Sequence, residues 1–268
     1  MNRYTLAAAC LGLVAIETAA SAHDYWLAPS RTRAPKGAAI DVRLYRGEPL
    51  LKDDERPLEI EKTGRFALLA GGGVEDLLGS ATEGQVPVVR VTPKVDGGNL
   101  VVMERKAQPN RLEAGKFTAY LKEEGLESIV ARREQLGESM ADGRELYSRY
   151  LKALIQVGDG RDETFGKVVG LTLEIVPEAD PSTRKVGDPL PIRVLFEGKP
   201  LAGAQVIADA GDGAEPHRQT STTDGEGRAS FQYDRGGFWL IRLVHMRRAA
   251  PGSEADWESF WGAYTFGL

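Results

Sequence analysis

The chain has one cysteine, Cys10, and three histidines, His23, His217 and His245, among 268 residues. A single thiol excludes a disulfide scaffold and a thiolate zinc site. So few histidines exclude an all-histidine metal centre with more than three ligands, and every metal or acid–base reading must use these positions or carboxylates. Excess positive charge is also missing: the formal net charge is −5, which argues against a nucleic-acid-binding surface. There is no G-x-S-x-G elbow and no H-E-x-x-H, and plentiful carboxylates on an acidic chain assign no acid–base pair. We therefore expect no enzyme. Beyond the N-terminal segment no stretch approaches the roughly 18 apolar residues of a membrane helix, so a soluble protein is expected. What is present is an ordinary globular composition, 42% apolar and 27% charged, which is too apolar for a disordered chain.

The first 22 residues read as an address. Met1-Asn2-Arg3 is a short positive start, Leu6 to Ile16 an apolar run, and Ala20-Ser21-Ala22 an A-x-A cleavage site. This pattern predicts a secretory signal peptide cut after Ala22. Cys10 falls inside it, so the exported chain would be free of cysteine and would rely on a packed core. Cleavage would also start the mature chain at His23-Asp24-Tyr25-Trp26. An N-terminal histidine offers an α-amine and an imidazole to one metal ion, with the Asp24 carboxylate beside them. Nitrogen donors of this kind suit nickel, cobalt, copper and zinc. A histidine that merely follows a cleavage site is the plain alternative.

Farther along, Ile40, Val42 and Leu44 alternate with polar neighbours, the period of a half-buried strand. Val86 to Val91 and Leu100 to Met103 are short strand-like runs, and Phe117, Ala119 and Leu121 alternate again. Gly71-Gly72-Gly73 lacks the Lys-Ser/Thr of a phosphate loop and reads as a turn. Leu121 to Leu136 has the composition of a helix, weakened near its start by Gly125. Asp142 can cap a second helix running to about Val157, with Leu146, Tyr150 and Leu154 recurring every four residues. Gly158 to Glu163 is a connection without the ligand spacing of a calcium loop. From Leu171 onward six or seven strands joined by short turns predict an antiparallel sandwich.

Gly198 to Val206, Thr223 to Phe231 and Gly237 to Ile241 resemble the Ig-like sandwiches of the carboxypeptidase-regulatory and transthyretin-like type. The opening Ala22-His23-Asp24-Tyr25-Trp26-Leu27-Ala28-Pro29 is similar to the start of an exported bacterial family of unknown function. Members of that family often carry the label of periplasmic component of cobalt/nickel uptake. Tyr147 to Gly158, Leu173 to Pro177 and the end His245-Met246 … Asp256-Trp257-Glu258-Ser259-Phe260-Trp261 resemble the same family. The resemblance implies a periplasmic, mainly β protein: two antiparallel Ig-like β-sandwich domains with a helical insertion between them. The divisions would be a signal peptide over 1–22, an N-terminal β domain ending in a helical segment over 23–165, and an Ig-like sandwich over 166–268.

His245 ends the apolar strand Phe238–Met246 on the face of Trp239, Ile241 and Leu243. It reads as a hydrogen-bonded histidine at the edge of the core or as a metal ligand. A metal site would combine His23 and His245 with a carboxylate or tyrosine from Asp24, Asp256, Glu258 or Tyr25, provided the first and last strands meet. His217 lies in a polar turn. Trp257 and Trp261 read as core or, if exposed, as a binding platform. Two functions follow as expectations. One is a periplasmic binding protein for nickel or cobalt that hands its ion to a membrane transporter. The other is a non-enzymatic Ig-like module contacting an envelope protein or glycan through Trp257 and Trp261.

Overall fold

The computed structural model describes residues 23–211 and 216–267; the predicted signal peptide, 1–22, lies outside the described residues. The described chain is mainly β, with several antiparallel sheets and two short α-helices. Two small sheets cover opposite faces of a nine-stranded one. The first small sheet joins β1 (Asp24–Pro29), β3 (Ile40–Gly47), β4 (Glu55–Arg56) and β7 (Val89–Val91). The second joins β10 (Leu173–Pro177), β11 (Pro189–Phe196), β12 (Lys199–Pro200) and β15 (Arg228–Gln232).

The central sheet runs β14 (His217–Thr222), β13 (Gln205–Ala210), β16 (Phe238–Arg248), β17 (Trp257–Gly267), β9 (Gly143–Val157), β8 (Gly97–Leu112), β5 (Thr63–Ala70) and β6 (Gly73–Asp76), with β2 (Arg33–Ala34) against β9. Its middle is a parallel ladder in which Trp257 to Thr265 pairs with Glu145 to Ala153. This ladder joins strands from either side of position 165 into one sheet.

Alternation along each central strand fills two different cores. On β16, Trp239, Ile241 and Leu243 face β10 and β11, where Leu173, Ile175, Ile192 and Val194 meet them. Phe238 and Leu240 face the other way, into a core shared with Trp26, Leu27, Val42 and Leu44. Farther along that second face, Val244, Met246, Trp257 and Trp261 are covered by α1 (Ala114–Glu123) and α2 (Glu127–Gln135).

Three expectations change. The segment 142–157 is a strand, not a helix, because both faces of β9 are covered. Residues four apart share a face in a strand as well as in a helix, so Leu146, Tyr150 and Leu154 fit either. Leu151, Ala153 and Ile155 then fill the opposite core. Conversely, Phe117 to Leu121 is helical: Phe117, Tyr120 and Leu121 recur at three and four and are the buried residues of α1. Gly125, at φ +68°, ends α1 in a left-handed turn in which Leu126 N–H donates to Leu121 O. The helices therefore interrupt the β8–β9 connection instead of standing between two sandwiches. Gly143 lets them dock, since a β-carbon there would lie 2.1 Å from the Phe117 ring.

Candidate functional site

Arg242 is the one arginine or lysine in the run Phe238–Met246, and the residue is 5% exposed. It points to the face of the sheet shared with β1 and the helices. Three segments converge on it there. Asp24 opens β1, Glu124 caps α1, and Asp209 lies on the neighbouring strand β13. Arg242 Nη1 is 3.1 Å from Asp24 Oδ2 and 3.4 Å from Glu124 Oε2, and its Nε is 3.1 Å from Asp209 Oδ2. Arg218, directly opposite Asp209 in register, donates to the other Asp209 oxygen at 2.7 Å.

The charges do not balance. Three carboxylates meet two guanidiniums, one of which, Arg218, is half-exposed. Burial, reinforced by Asp24, pushes the Glu124 carboxyl up to about 8, against the pull of Arg242. Burial also raises Asp24, with Arg242 and, from farther off, Arg149 opposing. Burial alone would lower Arg242, but Asp24, Glu124 and Asp209 outweigh it and raise it above its ordinary value. At neutral pH the cluster balances itself by keeping a proton on Glu124. A polar pocket opens over this cluster, lined by His23, Asp24, Gly47, Glu48, Pro49, Glu123, Glu124, Arg218 and Arg242.

The residues singled out by sequence are not assembled as one site. His23 and Asp24 share the pocket, and Asp24 is already paired with Arg242. His245 lies on the opposite face of the central sheet, three residues beyond Arg242. Its ring packs 4.4 Å from that of Phe196 on β11, with Phe260 beside it. Burial, then Arg247, lowers its pKa below the ordinary histidine value. Asp256 is held at the surface by Arg144, with contacts of 2.8 and 2.9 Å, and that hydrogen bond lowers its carboxyl. Glu258 is paired with Arg247. His217 begins β14, half-buried, with Nε2 2.8 Å from Asp234. Among the described residues no group of three or more His, Cys, Asp or Glu side chains is placed to hold a metal ion.

Trp257 and Trp261 are 1% and 4% exposed, inside the core beneath the helices. Trp261 stacks on Tyr120 with ring centres 5.7 Å apart. Neither indole presents a face to an outside partner, which corrects the expectation of a platform.

Sequence reasoning missed Arg242, Asp209 and Glu124. The available signal was a charge inside an apolar strand: Arg242 in Phe238–Met246 and Asp209 in Gln205–Ala210. In a strand buried on both faces such a charge must be paired. Glu124 carried no signal, since its burial comes from the docking of α1.

Fold and cluster together define a β-rich protein built on one central sheet, with an unbalanced buried charge network under a polar pocket. The chain belongs to the family described as Domain of unknown function (DUF4198), whose model matches residues 20–247. Among curated proteins none matches it. None of the helices among the described residues is long and apolar enough to cross a membrane.

Proposed function

We propose that this is an exported, periplasmic protein that captures a divalent transition metal, nickel or cobalt, at His23 and releases it to a membrane transporter. One observation carries the reading: His23 lines a polar pocket whose walls hold Asp24, Glu48, Glu123 and Glu124 against Arg218 and Arg242. A cation bound there would take the place of the proton that Glu124 retains. Cleavage after Ala22 would add the α-amine of His23 as a second nitrogen donor. His245 and Asp256 have no part in this site. The C-terminal strands of the central sheet, facing β10, β11 and β15 across a shared core, support an Ig-like frame that holds the pocket walls in place.

The test is calorimetric titration of nickel and cobalt into protein that starts at His23. A control carries one extra residue before His23, and a variant combines Glu48→Gln with Glu123→Gln. One-to-one binding is expected, abolished by the extra residue and weakened in the variant. Affinity should rise as pH climbs toward about 8, where Glu124 gives up its proton. No heat at any pH, or heat indifferent to the extra residue, would remove the reading.

A further inference from the structure

A second unbalanced charge group lies nearby and has the opposite sign. Arg105 on β8 and Arg149 on β9 are direct partners in the antiparallel register. They are 7% and 6% exposed. Like charges placed directly opposite each other destabilise a sheet, and burial sharpens the repulsion. Arg105 is paired with Glu59, which Lys62 also uses. Among the described residues no carboxylate stands within ion-pair distance of Arg149. The Nη1 atom of each arginine is buried and has no hydrogen-bond partner among the described residues.

The Asp24 carboxylate acts on Arg149 from beyond ion-pair distance, and aromatic rings take up the space next to its guanidinium. The Arg149 guanidinium lies 4.1 Å from the centre of the Tyr25 ring, 4.9 Å from that of Trp261 and 5.0 Å from that of Tyr147. The Tyr25 ring also covers Arg105, at 5.5 Å. Ring faces attract a cation but give no acceptor to an in-plane N–H, so both Nη1 groups remain unsatisfied. Tyr25 and Tyr147 are the half-exposed members of this wall. The β8–β9 register shifts between Arg105 and Gln108, immediately beside the pair. Such irregularities end regular pairing and re-aim side chains.

We propose that Arg105 and Arg149 together bind a small oxyanion, a carboxylate or phosphate group, that enters by displacing Tyr25. A guanidinium fork matches the geometry of either group, and the two arginines are direct partners across β8 and β9. The site does not depend on His23, so it stands or falls separately from the metal reading.

The experiment uses the full chain with citrate, inorganic phosphate and sodium chloride at matched ionic strength. Thermal unfolding, calorimetry and tryptophan fluorescence, to which Trp261 contributes, are the readouts. Citrate or phosphate should raise Tm and change the fluorescence, and chloride should not. Response to citrate alone assigns a carboxylate ligand, and response to phosphate alone assigns a phosphate. Arg149→Met should lower the affinity about tenfold or more. If that variant fails to fold, Arg105→Gln carries the same expectation for affinity. No response beyond that of chloride, or an equal response in the arginine variants, would overturn the proposal.

Discussion

Lys152 and Glu174 meet on the face of the central sheet covered by β10 and β11, whereas Arg242 meets Asp24, Glu124 and Asp209 on the other face. Both groups are buried, yet they are built differently. Glu174 accepts backbone N–H groups from Val169, Gly170 and Leu171 in addition to its ion pair with Lys152. Lys152 also donates to the carbonyls of Lys167 and Ile175. One charge answers one charge, and the remaining hydrogen-bonding capacity is largely used. Around Arg242 the carboxylates outnumber the guanidiniums, and a retained proton makes up the difference. The first group ties β9 to β10 as structure. The second is the kind of group that can exchange a proton for another cation.

Breaking the balanced pair should have the largest effect. Lys152→Met strands the Glu174 carboxylate in the core and should cost about 3–5 kcal/mol in chemical denaturation. Adding Glu174→Gln should recover much of that loss, since the amide oxygen still accepts backbone N–H groups. If the two losses simply add, the pair is not the unit described.

The unbalanced group should show itself through pH. Glu124 holds its proton up to about 8 in the folded chain, against an ordinary value of 4.5. Between those values the folded state binds the extra proton. Stability should therefore fall as pH rises from about 5 to 8, by about 2–4 kcal/mol. Glu124→Gln should flatten that slope. A wild-type profile that rises over this window would contradict the charge count at Arg242.

The smallest effect is expected at His245. Its ring packs on Phe196, with Phe260 farther off, away from the pocket. His245→Leu should change stability by about 1 kcal/mol or less and leave the heat of nickel binding unchanged. A lost nickel signal would bring His245 back into the site and erase the contrast between the two faces.

Much of the strand structure was legible because one-sided strands alternate. Ile40 to Tyr45 and Leu190 to Phe196 read directly as β3 and β11. β9 was not legible, because a strand covered on both faces loses its alternation and its four-residue repeat imitates a helix. α1 was misread for the opposite reason: three apolar residues in a short segment satisfied a period of two by chance. At the candidate site, His23 and Asp24 were legible from the cleavage pattern and do share a pocket. The pairing of His23 with His245 depended on which face each strand presents, and that is decided by sheet stacking far from either residue. Arg242 was visible as a charge in an apolar run, but its partners come from β1, α1 and β13, which only the assembled fold brings together.

The parallel ladder between β9 and β17 also constrains how the molecule comes into being. β9 takes one neighbour, β8, from nearby in the sequence and the other, β17, from the far end of the described chain. Until Trp257 to Thr265 has been delivered, the inner edge of β9 is a long, apolar and unpaired strand edge in the middle of the future sheet. Such edges recruit other strands and favour aggregation. Folding cannot then proceed by finishing one half before the other, since the last segment to arrive is the one that closes the centre. A chain cut before Trp257 would lose more than its final strand: it would leave two open half-sheets, each presenting a sticky edge to its neighbours.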